Sequence, residues 1–282
     1  MVLRTILLWL CIVATQTIQA QTSRSGRLYT ERGKQSFAKG DFRGALIDFD
    51  TAIKFDPTDA SAYYNRGVVL LTEGKLDLAI VDFSTSLEIS PSFVLAYDGR
   101  ANARLRKGDL DEAIADLNRI VDLDSRYAPA YVNRGVAFHL KGDLIAAIED
   151  FDNALAINPR LAEAYGDRGT VRMILRDIDA AIADLDRAIS INPGMIAAFN
   201  SRGIARLERG RFQDAITDFE KVMQLDPGNA LAYLGRGIVL MLQNKKADAE
   251  KDFQRCLKLD RSLQRALEFF RGLRERTNRS KL

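Results

Sequence analysis

A period of 34 residues runs through most of the 282-residue chain and constrains its fold more than any other feature. Repeats this short cannot each enclose a core, so neighbouring units must stack to bury their apolar surfaces. The sequence therefore predicts a linear array of stacked units. One period apart, glycines fall in a single column in which Ala101 is the exception: Gly33, Gly67, Gly135, Gly169, Gly203 and Gly237.

Each unit carries the pattern of two amphipathic helices. An aromatic residue stands four positions before the glycine column, and later in each unit an alanine is followed four positions on by Phe or Leu. Side chains four residues apart lie on one face of an α-helix, so each stripe combines a small with a large residue. The aromatic column is Tyr29, Tyr63, Tyr97, Tyr131, Tyr165, Phe199 and Tyr233.

Turn residues separate the two helices of most units. In Lys39-Gly40-Asp41 the glycine suits the left-handed conformation that ends a helix. The aspartate that follows can accept hydrogen bonds from the free N–H groups of the next helix. Prolines close most units because they cannot continue a helix, and they are Pro57, Pro91, Pro159, Pro193 and Pro227.

These columns resemble the tetratricopeptide repeat (TPR) family across about residues 26–261, as seven units in register. The resemblance implies an all-α fold, an α-solenoid in which antiparallel helix pairs stack into a right-handed superhelix. It also implies that the first helix of each pair lines a concave groove that holds peptides or partner proteins.

The chain departs from the family pattern just before the glycine column, where arginine replaces the usual leucine in every unit. An equally unbroken aspartate column accompanies it. The two columns are interpreted either as a ladder of ion pairs within or between units, or as a basic track for an anionic ligand. We favour the ladder, because a track would not need a matched acid in each unit. The columns are Arg32, Arg66, Arg100, Arg134, Arg168, Arg202 and Arg236, and Asp48, Asp82, Asp116, Asp150, Asp184, Asp218 and Asp252.

By resemblance to the family, partner contacts are expected from side chains one and five residues after the aromatic column, and simple packing between helices is the alternative role. The lone His139 is added as a packed or groove-facing side chain. Asp98, Glu163 and Asp167 have the wrong sign for a clamp on a carboxylate tail, so an apolar helix or extended segment of a partner is expected. The expected partner-binding residues are Tyr64, Val68, Asp98, Asn102, Val132, Val136, His139, Thr170, Asn200 and Ile204.

The sequence holds no motif of known chemistry. It has no phosphate-binding glycine loop, Cys-x-x-Cys pair, His-Glu-x-x-His segment or Gly-x-Ser-x-Gly elbow. His139 has no second histidine to share a metal or a proton with. Cys256 stands in a column of small residues and is predicted to be a core residue. We therefore expect no enzymatic activity, no metal and no cofactor.

The first 20 residues have the layout of a secretory signal peptide, with Arg4, an apolar stretch over 6–14 and a small residue at Ala20. We expect cleavage there, a short lead over 21–25 and export, with the periplasm as the expected compartment. An uncleaved anchor is the alternative, disfavoured because spanning a bilayer takes roughly 20 apolar residues. A peroxisomal interpretation of Ser280-Lys281-Leu282 is disfavoured because an export signal acts first.

The period fails from Ser262, and residues 262–282 are predicted to form a capping helix and a basic tail. The predicted apolar stripe is Leu263, Ala266, Leu267 and Phe270. Membrane contact is expected only through the tail, and the net charge of +3 argues against nucleic acid as a partner.

Taken together, the repeat, the signal and the missing motifs predict an exported adaptor that binds proteins or peptides in its groove and is a monomer without them. Two alternatives remain. One is a structural element of the cell envelope that associates with itself, and the other is a binder of small molecules or an accessory subunit of an enzyme.

Overall fold

The computed structural model describes residues 24–270, and every regular element in that range is a helix. The described chain divides into two compact units, residues 24–141 and 142–270. The predicted all-α class is confirmed. The predicted signal peptide and basic tail lie outside the described residues.

The first unit contains seven helices. Consecutive helices from α3 to α7 pack against each other, and the first helices α3, α5 and α7 also contact their neighbours across repeats. This is the arrangement of a short α-solenoid. The helices are α1 over 24–38, α2 Phe42–Phe55, α3 Ala60–Thr72, α4 Leu76–Ile89, α5 Val94–Lys107, α6 Leu110–Leu123 and α7 Ala128–Lys141.

The second unit repeats this arrangement. Its consecutive helices pack in series from α8 to α14, and the first helices α9, α11 and α13 contact each other in order. A 3-10 turn at Arg261–Leu263 leads into helix α15. The helices are α8 Leu144–Ile157, α9 Ala162–Ile174, α10 Ile178–Ile191, α11 Ile196–Glu208, α12 Phe212–Leu225, α13 Ala230–Leu242, α14 Lys246–Leu259 and α15 over 264–270.

The turns between helices follow the predicted chemistry in part. Gly40 has a φ of 79° and ends α1, and the carboxylate of Asp41 accepts a hydrogen bond of 2.8 Å from the backbone N–H of Gly44. Asp109, by contrast, makes no capping bond with its side chain, so the prediction is wrong there. In the turn between α9 and α10 an arginine replaces the glycine, and Arg176 takes the left-handed backbone conformation with a φ of 67°.

Large side chains of the second helices fill the space left by small residues of the first helices. Phe219 is buried between Gly203 of its own repeat and Gly235 of the next, where an added methyl carbon would lie 2.8 Å and 2.5 Å from the ring. Phe83 lies in the same way between Gly67 and Gly99. The core is thus shared between adjacent repeats, because one ring packs on two of them.

The end of the described chain packs on the last repeat. Leu267 of α15 is fully buried against Ala249 and Phe253, and the ring of Phe270 lies 6.4 Å from that of Phe253. Ala266 is exposed, so its place in the predicted stripe is wrong. Cys256 is buried, as predicted for a core residue. In residues 24–270, no helix combines the length and apolarity needed to cross a lipid bilayer.

Candidate functional site

The arginine and aspartate columns form the predicted ladder of ion pairs within the repeats. Arg202 is representative: Nε donates to Oδ2 of Asp218 at 3.1 Å and Nη2 donates to Oδ1 at 2.6 Å, and Asp218 is 1% exposed. The same two-point pairing joins Arg32 to Asp48, Arg66 to Asp82, Arg100 to Asp116, Arg168 to Asp184 and Arg236 to Asp252. These arginines are therefore engaged by the protein itself.

The remaining guanidinium nitrogen links adjacent repeats. Nη1 of Arg202 donates to Asp186 of the preceding repeat at 2.5 Å, and Nη1 of Arg66 donates to Asp50 at 2.6 Å. A second arginine also reaches the buried carboxylate, since Nη1 of Arg206 donates to Asp218 at 2.8 Å. Sequence reasoning missed this second arginine, although Arg104, Arg172 and Arg206 stand in one column. The ladder fixes the register between helices, and its arginines are not a free basic track.

The ten predicted partner-binding residues all lie on first helices, and each is half-buried or exposed. We call their surroundings the unit 1 face, on α3, α5 and α7, and the unit 2 face, on α9, α11 and α13. The unit 1 face carries Tyr64, Val68, Asp98, Asn102, Val132, Val136 and His139, and the unit 2 face carries Thr170, Asn200 and Ile204.

Aromatic rings build one wall of the unit 1 face. The ring of Tyr64 lies 5.0 Å from the ring of Phe93 and 5.9 Å from that of Phe83. Burial raises the pKa of the Tyr64 phenol, and the charge of Asp98 raises it further. Tyr64 is therefore fixed by its neighbours and lies close to a carboxylate.

Asp98 is a half-buried acid on the same face. Its Oδ1 accepts a hydrogen bond of 3.3 Å from Nδ2 of Asn133. Burial raises the pKa of the Asp98 carboxyl, and the bond from Asn133 opposes that shift. Among the described residues no lysine or arginine pairs with it.

Tyr127, just before α7, completes this cluster. Burial raises the pKa of its phenol to about 12, with further contributions from the charges of Asp98 and Tyr64. Sequence reasoning missed Tyr127 and Phe93, although a spacing of 29 residues reveals them. At that spacing Thr30 donates to Asp59 at 3.2 Å. In several repeats, therefore, the residue just before a first helix contacts the residue one position after the aromatic column of the preceding repeat.

The unit 2 face has amides at the equivalent place. Nδ2 of Asn200 donates to Oδ1 of Asn229 at 3.3 Å, while Oδ1 of Asn200 is buried without a hydrogen-bond partner in the described residues. The hydroxyl of Thr170 donates to its own helix at Gly166 O, 3.0 Å away. Asn200 therefore keeps an acceptor that a partner's N–H group can satisfy after local movement.

A second half-buried acid lies on α9. Burial raises the pKa of Asp167 to about 6, and the nearby charge of Glu163 raises it as well. The two carboxylates stand one helical turn apart, so they repel each other when both are ionised. This part of the unit 2 face changes its charge in mildly acidic solution.

The rest of the unit 2 face is apolar and open to solvent. Four large aliphatic side chains on its three first helices are between 44% and 55% exposed, and they are Ile174, Ile204, Leu231 and Leu242. Residues 24–270 contain no group of three or more histidine, cysteine, aspartate or glutamate side chains placed to hold a metal ion.

Models described as TPR repeat or tetratricopeptide repeat match residues 26–74, 60–93, 101–142, 128–161, 162–195 and 200–264. The chain belongs to the tetratricopeptide repeat family. TPR proteins are generally scaffolds without catalytic activity, and the fold binds protein or peptide partners.

Solved structures share the TPR fold. A tetratricopeptide repeat protein from Parabacteroides merdae ATCC 43184 is 20% identical with a TM-score of 0.69, over 88% of this chain and 99% of that one. The MamA protein is 30% identical with a TM-score of 0.52, over 61% and 93%. YrrB, described as a TPR protein with an unusual peptide-binding site, is 21% identical with a TM-score of 0.52, over 65% and 95%. No curated protein matches the chain.

Proposed function

We propose that this TPR protein is an exported adaptor that holds a segment of a partner protein along its first helices. The observation that carries the proposal is the open apolar surface of the unit 2 face, where Ile174, Ile204, Leu231 and Leu242 stay accessible on three successive first helices. Exposed apolar groups that continue from one element to the next mark a docking surface more often than a solvated one.

The chemistry of the two faces favours a peptide as the occupant. Aliphatic side chains offer apolar surface that a peptide can bury. Asn102 is exposed and can bind a peptide backbone, and Oδ1 of Asn200 can do so after local movement. The ladder arginines are paired with the protein's own acids, which disfavours an anionic ligand. The YrrB relative, with its peptide-binding site, supports the same assignment.

Export rests on the N-terminal sequence, whose charged start, apolar stretch and small residue at Ala20 match a signal peptide. We propose the periplasm as the compartment and a monomeric chain in the absence of a partner. Cell fractionation of the full chain tests the location, and recovery in the cytoplasm alone would contradict it.

Capture of partners from an envelope extract tests the binding face. The double variant Ile204→Glu with Leu231→Glu places two charges on the unit 2 face, and its captured proteins are compared with those of the wild type. Val81→Glu is the matched control, because Val81 is 60% exposed on the second helix α4. We expect partners to be lost from the double variant and kept by the control.

Circular dichroism melting of both variants establishes that each is folded. If the folded double variant captured the same proteins as the wild type, the unit 2 face would not be the binding surface.

A further inference from the structure

Asp98 differs from the buried aspartates of the ladder in its hydrogen-bond partners. Asp116, one helix away, is bound by Arg100 at 2.6 Å and by Arg104 at 2.5 Å. Asp98 is half-buried with one amide donor, Asn133, and no paired cation among residues 24–270. Moving a carboxylate away from water costs free energy unless a positive charge or several donors compensate for it. An acid left in this state on a candidate binding face therefore lacks a counter-charge.

The chain's own cations near Asp98 are already engaged. On its helix α5, Arg100 and Arg104 bind Asp116, Arg106 donates to the carbonyl of Leu71 at 2.7 Å, and Lys107 binds Asp77 at 2.9 Å. On α7, the described contacts of the basic side chains include Arg134 with Asn118 at 2.6 Å and Lys141 with Asp111. None of these contacts supplies a cation to Asp98, so a bound partner can supply one.

Two tyrosines lie near enough to this carboxylate to feel its charge. Tyr64 is held on α3 by Phe93, whose ring lies 5.0 Å away. Tyr127 stands 29 residues after Asp98, the spacing at which Thr30 meets Asp59 and Asn200 meets Asn229. The charge of Asp98 raises the pKa of both phenols, and Tyr64 raises the pKa of Tyr127 as well. A carboxylate and aromatic rings together attract cations, because the faces of such rings carry partial negative charge.

We infer that Tyr64, Asp98 and Tyr127 form a subsite for a lysine or arginine side chain of the partner peptide. The inference rests on the proposed function, since it assigns one position of the bound segment. A basic head group would satisfy the carboxylate, and its aliphatic stem would pack on the rings. A neutral or acidic side chain at that position would leave Asp98 without its counter-charge.

A double-mutant cycle tests the inference. Random twelve-residue peptides are selected by display on the full chain, and each selected peptide is compared with an analogue in which norleucine replaces its lysine or arginine. We expect a shared basic position whose replacement weakens wild-type binding about tenfold or more. Against Asp98→Asn, which keeps the shape of the side chain, peptide and analogue should bind equally. Asp122→Asn on the second helix α6 is the control, and it should keep the wild-type difference.

Two variants of Tyr127 test the contribution of the aromatic ring to the subsite. Tyr127→Phe keeps the ring and should bind the basic peptide as the wild type does, whereas Tyr127→Leu should lose most of the preference for it. Melting curves show that both variants fold.

The outcomes separate the two proposals. If peptides bind but Asp98→Asn keeps the full difference between lysine and norleucine, the subsite is overturned and the adaptor function stands. If selection returns peptides without a shared basic position, the subsite is likewise overturned. If no peptide binds the full chain, the proposed function and the subsite fall together.

Discussion

Arg202 holds the carboxylate of Asp218 by two parallel hydrogen bonds, at 3.1 Å from Nε and 2.6 Å from Nη2. Asp218 is buried, and Arg206 adds a third bond at 2.8 Å. Since Arg202 also reaches Asp186, one side chain joins the two helices of a repeat to the repeat before it. The ladder is thus part of what fixes the register of stacked helices.

Replacing Arg202 by alanine should lower the free energy of unfolding by about 3 kcal/mol, because Asp218 would keep a buried charge with only one arginine left. Chemical denaturation followed by circular dichroism measures the change. Arg211→Ala is the control: its pair with Asp214 is about half exposed on both sides and should contribute under about 1 kcal/mol. Equal losses of unfolding free energy in the two variants would show that a ladder pair contributes no more than an exposed ion pair.

Gly203→Ala should destabilise the protein even though alanine is the better helix former. The new methyl carbon would lie 2.8 Å from Cε1 of Phe219, and overpacking of this kind costs about 1–3 kcal/mol. The third repeat suggests the rescue, since Ala101 there packs with Leu117 in place of phenylalanine. We expect Phe219→Leu to be less harmful in the Gly203→Ala background than alone. Additive effects in that double variant would contradict a steric cause.

Arg176→Gly should raise the free energy of unfolding by about 1 kcal/mol. Arg176 has a φ of 67°, which glycine adopts without the strain that a Cβ atom causes. Its pair with Glu208 leaves the arginine side chain 77% exposed and contributes little. Glu73→Gly, at a φ of −75°, should instead destabilise, so a gain in both variants would argue against the conformational explanation.

Asp167 should make stability depend on pH in acidic solution. Burial and Glu163 raise its pKa from 3.8 to about 6, so the folded state binds this proton more tightly than the unfolded chain. The resulting stabilisation is complete below about pH 4 and is lost as the pH rises through about 6. The difference in unfolding free energy between Asp167→Asn and wild type should therefore grow between pH 4 and pH 7, with the variant more stable at pH 7.

Thermal or chemical unfolding at several pH values measures that difference. Glu163→Gln should shrink the effect by removing the nearby charge. A difference that stays constant from pH 4 to pH 7 would show that Asp167 titrates normally.

The sequence predicts the features of the structure that recur from repeat to repeat. The aromatic, glycine and alanine columns predict the helix pairs, and the matched arginine and aspartate columns predict the ladder. Contacts that vary between repeats were out of reach. Tyr127 lies near Asp98 because it precedes a first helix and sits beside the preceding one, a geometry that helical periodicity alone does not encode.

The same limit applies at two other places. Arg206 is a second arginine bound to Asp218. Arginine stands at this position in three repeats only, as Arg104, Arg172 and Arg206. Arg176 takes a left-handed conformation that its residue type disfavours, at the position of the turn that Gly142 and Gly210 occupy in the neighbouring repeats. In both cases tertiary geometry decides what local preference does not.

Site-specific photo-crosslinking in cells that make the full chain tests the binding face most directly. A photoreactive residue replaces either Ile204, 45% exposed on the first helix α11, or Ile145, 62% exposed on the second helix α8. We predict a covalent adduct with a partner protein from position 204 and none from position 145. Adducts only from position 145, or equal yields from both positions, would contradict binding along the first helices.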